Sequence, residues 1–150
     1  MESQPLEKQE GIQAGEGCGE DVATFDSSWP EGCPPRHARP ASGTFFRVVS
    51  SAPPSEDDFR TYIETGFKSK PGQAVDFRPY GLSVFAALAD AKNLIKINRK
   101  WGTLIASGDL TPPYGVTLAT PSNNNSHVTW WPAHGIRRAA PFQVLGSTAE

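Results

Sequence analysis

The sequence predicts an α+β fold: a small mixed or antiparallel sheet with two helices early in the chain, preceded by a disordered N-terminal tail. Three observations predict it. Helical periodicity is confined to two stretches before residue 100, and only short β-rich runs follow, which is the order of an α+β domain and not of alternating parallel units. Gly and Pro number 14 each in 150 residues, about 19% against an average near 12%, too many for a helical bundle. The composition also changes at Gly43. Residues 1–43 carry eight acids and three bases, a charge of −5, whereas residues 44–150 carry eleven bases and eight acids, a charge of +3. The leader has few aliphatic residues to offset its ordering entropy, so it is expected to be disordered. Residues 44–148 are expected to form one compact domain. Phe25 and Trp29 are the two leader aromatics able to dock on the domain or on a partner.

The elements follow in order. Thr44-Phe45-Phe46-Arg47-Val48-Val49-Ser50 is aromatic and β-branched, as strands are. Alternation puts Phe45, Arg47 and Val49 on one face and Phe46 and Val48 on the other. Both faces are apolar except at Arg47, which marks a central strand. Next, Ser55 is a good N-cap, acids at 56–58 suit a first helical turn, and Phe59, Tyr62 and Ile63 make one stripe. A helix is predicted over 55–65, stopped by Gly66. Residues 67–80, with Pro71, Gly72 and Pro79, read as a loop. A short strand at 81–85 precedes a helix over 86–100, whose Ala87, Leu88, Ala91, Leu94 and Ile95 share one face. Strands are then predicted at 101–107, 116–119, 127–131 and 141–145, separated by the Pro112-Pro113-Tyr114-Gly115 turn and a polar Asn-rich loop.

Several function classes are excluded at this level. The sequence has no run of about 18 apolar residues, so no helix is expected to span a bilayer. The start, Met1-Glu2-Ser3-Gln4-Pro5, lacks the basic and apolar segments of a secretory signal, which predicts a cytoplasmic protein. Cys18 and Cys33 are too few for a zinc site and are expected to be free thiols in a reducing compartment. Phosphate-loop, dinucleotide-fingerprint, zinc-protease and nucleophile-elbow motifs are absent. Lys92, Lys96, Arg99, Lys100, Arg137 and Arg138 make only a modest basic surface, so nucleic acid is not expected as a partner.

What remains is polar groups inside apolar strands. Arg47 lies within Phe-Phe-Arg-Val-Val and needs a carboxylate or phosphate ligand, an internal partner such as Asp76 or Asp109, or water at the sheet edge. Ser83 lies within Gly-Leu-Ser-Val-Phe, and His127 opens a strand that ends in Trp130-Trp131. Each is either a pocket residue or a satisfied core group. The two tryptophans are candidates for stacking on a base or nicotinamide, although one of them must face the core.

These short motifs, F-F-R-V-V, the acid-capped D-F segment, G-L-S-V-F and the Ala-rich helix, resemble small bacterial ADP-ribosyltransferase-like domains over about residues 44–145. The resemblance implies that Arg47 grips the NAD cofactor and that Ser83 shapes the nicotinamide pocket. On this reading Ser83 and His127 are the catalytic candidates, and Arg47, Ser83 and, as the stacking residue, Trp130 are the cofactor-binding candidates. The late catalytic Glu of those families has no counterpart, since Glu150 is the only Glu after Glu64, and His127 is the candidate to replace it. Two other readings stay open. One is the same fold used only for binding, with the acidic leader recruiting a protein partner. The other is an unrelated α+β interaction module, such as an accessory factor of a phage or mobile element.

Overall fold

The computed structural model describes residues 23–68, 76–122 and 124–146. Among them the chain forms seven strands and one α-helix: β1 (Arg39–Pro40), β2 (Gly43–Val49), β3 (Leu82–Phe85), α1 (Leu88–Ile97), β4 (Leu104–Leu110), β5 (Gly115–Ala119), β6 (His127–Pro132) and β7 (Phe142–Val144). All seven strands join one antiparallel sheet in the order β1-β5-β6-β3-β2-β4-β7. This corrects the expected fold class. The described residues form mainly a seven-stranded sheet with a single α-helix, not a small sheet with two.

The first predicted helix is the element that fails. Residues 56–59 make one 3-10 turn, and the chain leaves it at Arg60 in extended conformation (φ −93°, ψ 136°). The reason lies in the side chains that suggested a helix. The Asp58 carboxylate accepts from Ser50 N, Ser50 Oγ, Ser51 Oγ and Ser55 N, so it ties the turn back to the end of β2. Glu56 accepts from the backbone N–H groups of Arg138 and Ala139. Phe59 is fully buried while Tyr62 is 46% exposed. The 59/62/63 stripe therefore never faces one core, and packing overrides local propensity.

β2 is central, as its two apolar faces require. It pairs with β4 from Gly43↔Leu110 to Val49↔Leu104. On one side Phe46, Val48, Phe85 and Ile105 pack under Ala91, Leu94 and Ile95 of α1. On the other, Phe45, Val49, Leu82, Val84, Val128 and Trp130 build the larger core with Phe59 and Phe142. Phe59 and Phe142 rings lie 4.9 Å apart, and both contact Trp130.

The expected tail boundary at residue 43 falls inside the packed structure. β1 pairs Arg39↔Thr117 and Pro40↔Val116, Ala41 is fully buried, and Trp29 packs edge-on to Tyr80 at 6.1 Å. His134 N donates to Thr24 O. Residues 23–43 thus belong with the sheet. The expectations for residues 1–22, Cys18 among them, lie outside the described residues. Cys33 is a free thiol, and burial pushes it up to about 11. Among the described residues no helix is long and apolar enough to cross a membrane.

Candidate functional site

The site grows from a split in the sheet. β2 and β3 are joined at one pair, Phe46↔Phe85. Beyond it the strands diverge, and Arg47 fills the gap. Its Nη1 donates to Ser83 O at 2.7 Å and its Nε to Asp58 O at 2.9 Å. The guanidinium stands over the Phe59 ring at 5.2 Å. Arg47 therefore supplies the donor that a neighbouring strand would have given to β3. Neither expected acid pairs with it: Asp76 binds Arg78, and Asp109 accepts from Thr44. Burial lowers the guanidinium to about 10, against a raising pull from Asp58.

The split opens into a cleft of about 760 Å³ lined by Arg47, Ser83 and His127. Ser83 is exposed at the cleft wall, and its Oγ lies 2.9 Å from His127 Nε2. The register explains the contact: Ser83↔Thr129 and Phe85↔His127 are successive same-face pairs of β3 and β6, so Ser83 and His127 are diagonal neighbours. His127 Nδ1 lies 2.9 Å from Thr120 O and 2.8 Å from Thr120 Oγ1. A carbonyl can only accept, so Nδ1 carries the proton and Nε2 presents its lone pair to Ser83. Burial lowers the imidazole below its ordinary value, the Thr120 carbonyl opposes this, and Arg78 adds to it. That direction favours the neutral ring.

The rest of the lining is mixed. Arg60, Arg78 and Lys100 bring further cations, and Asp57, Asp58 and Asp76 bring acids. Desolvation raises Asp58, but the hydroxyls and amides of Ser51, Ser55 and Ser50 more than reverse this and hold it at about 2. Asp76 is held low by its bidentate bond to Arg78. Among the described lining residues there is no Glu.

One candidate is misplaced. Trp130 is fully buried in the larger core and donates Nε1–H to Tyr114 O at 2.9 Å, so it cannot bind a cofactor. Trp131 is also buried, bonded to Phe77 O. Strand alternation does not separate them, because a chain segment covers each face of β6. The exposed aromatic side chains that reach the cleft are Tyr62, Phe67 and Trp101, which are 46%, 49% and 39% exposed. Tyr62 stands 6.3 Å from Phe67 and 5.6 Å from Trp101, with Lys100 Nζ 4.6 Å over the indole. Their clustering follows from turns that sequence periodicity does not encode. A Trp after a run of cations (Arg99-Lys100-Trp101) was the one signal present.

Compared with protein-family models, curated proteins and solved structures, the chain has no match. Among the described residues no group of three His, Cys, Asp or Glu side chains is placed to hold a metal ion.

Proposed function

We propose that the cleft binds NAD or a related phosphorylated nucleotide, and that the chain is an ADP-ribosyltransferase-like protein of the cytoplasm. The observation that carries this reading is the convergence of Arg47, Ser83 and His127, separated by 36 and 44 positions in sequence, on one cleft through direct hydrogen bonds. The volume suits a dinucleotide-sized ligand. The cations supply phosphate partners, and the exposed Tyr62, Phe67 and Trp101 rings give a planar base a stacking surface. In ribosyl transfer the bond between C1 of the ribose and nicotinamide breaks while an acceptor attacks C1. His127, neutral and facing the cleft through Nε2, takes the acceptor proton as general base. Arg47 holds the wall of the pocket and offers its remaining N–H groups to the ligand.

A second reading, the same cleft binding without turnover, is favoured by the acids: Asp58 and Asp76 are already satisfied by protein donors, and no Glu stands among the described lining residues. One experiment covers both. NAD at millimolar concentration should raise the melting temperature, by about 2.7 kcal/mol of stability at 100 times Kd. Release of nicotinamide, lost in His127→Gln, would establish transfer. Binding without release would leave the second reading. No stabilisation by NAD, ADP-ribose or AMP would remove both.

A further inference from the structure

We propose that Ser83 is a nucleophile, activated by His127 as its general base, and that it attacks the phosphorus of a phosphoester bound in the cleft. This goes beyond NAD binding and does not depend on it.

The geometry is that of nucleophile, base and orienting group. Ser83 Oγ and His127 Nε2 are 2.9 Å apart, and the Thr120 carbonyl fixes the other ring nitrogen at 2.9 Å. A hydroxyl chain continues the support, with Thr120 Oγ1 2.8 Å from Thr129 Oγ1. The Phe85 ring and the imidazole pack nearly perpendicular, with centroids 5.5 Å apart. Both members sit on paired strands inside the sheet, the rigid placement that a reacting pair needs. Mere satisfaction of polar groups does not require this arrangement, because Ser83 is exposed and water is available to its hydroxyl. Phosphorus is favoured over a carboxylic ester because four cations, Arg47, Arg60, Arg78 and Lys100, outnumber Asp57, Asp58 and Asp76 in the cleft lining.

In the step, the Ser83 Oγ–P bond forms and the bond from phosphorus to the leaving oxygen breaks. The Ser83 proton passes to His127 Nε2 and from there to the leaving oxygen. Water, deprotonated by the same nitrogen, then hydrolyses the phosphoseryl ester and restores both residues.

The test is labelling of the full chain with a fluorophosphonate probe, read by peptide mass spectrometry. Ser83 should be labelled while exposed Ser28 and Ser50 are not, and His127→Gln should slow labelling by about 10²-fold or more. In the unaltered protein the labelling rate should rise with pH and reach half its maximum at the imidazole pKa measured by NMR. Arg78 is the charged group acting on that ring. Bis(p-nitrophenyl) phosphate should be hydrolysed in preference to p-nitrophenyl acetate. Absence of label at Ser83, a rate flat with pH, a rate unchanged in folded His127→Gln, or preference for the acetate would each overturn the proposal. Ser83 labelled in a protein that NAD does not stabilise would uphold it and remove the NAD reading alone.

Discussion

Replacing Arg47 by Met should destabilise the protein by about 2 kcal/mol, and the number follows from the split between β2 and β3. Arg47 makes two hydrogen bonds, to Ser83 O at 2.7 Å and Asp58 O at 2.9 Å. A bond from a charged donor contributes about 1.5–3 kcal/mol, so the pair supplies about 3–6 kcal/mol. Burial opposes them: net of the Asp58 attraction, it holds the guanidinium down at about 10, which corresponds to roughly 3 kcal/mol against the ionised form. The contact with Phe59 adds about 0.5–1 kcal/mol. Methionine keeps the apolar stem and gives up the rest, for a net loss of about 0.5–4 kcal/mol, centred near 2. In a domain of this size that lowers the melting temperature by on the order of 3–10 °C. Differential scanning calorimetry measures it, and amide exchange along β3 should quicken in the same variant. An unchanged melting temperature with NAD binding lost would refute the clamp and make Arg47 a ligand-binding group alone.

Asp58→Asn should lower stability at neutral pH and flatten its acid dependence. The folded carboxyl is depressed from 3.8 to about 2, so its contribution is complete above the unfolded value and is lost as pH falls through the folded one. Urea midpoints measured from pH 5 to pH 2 should show roughly 1–2 kcal/mol of this loss in the parent protein, after allowance for solvent screening, and little in the variant. Gly115→Ala should destabilise by more than about 1 kcal/mol, because the residue has φ +127° and an added Cβ would collide with the Trp131 carbonyl; normal thermal unfolding of that variant would contradict the β5–β6 packing. Trp101→Ala should change stability by less than about 0.5–1 kcal/mol, since the ring is half-exposed, yet weaken NAD binding in titration calorimetry; undiminished affinity would remove the aromatic cluster from the site.

Much of this protein is legible in its sequence wherever burial is symmetric and local. The two apolar faces of Phe45 to Val49 required a central strand, and β2 is one. The stripe of Ala91, Leu94 and Ile95 required a helix over one face, and α1 supplies it. Arg47, Ser83 and His127 stood out because polar groups in apolar strands need a partner, and they prove to be one another's neighbours. The acids at 56–58 misled because a carboxylate that fits a helical first turn fits equally well as the hub of a serine turn, and only the end of β2 brings Ser50 and Ser51 within reach of Asp58. Likewise Arg39-Pro40 carries no strand signature of its own and becomes β1 only because β5 presents a free edge to it.

The sequence by itself determined six of the seven strands among the described residues and which side chains are chemically out of place in them, since alternation and burial preference act over a few residues. The tertiary structure alone decided that β2 and β3 part after a single pair, that Arg47 holds the opening, that Trp130 faces the core, and that Tyr62, Phe67 and Trp101 meet at its lip. Those features depend on contacts between residues tens of positions apart, and no local propensity carries the free energy of such contacts.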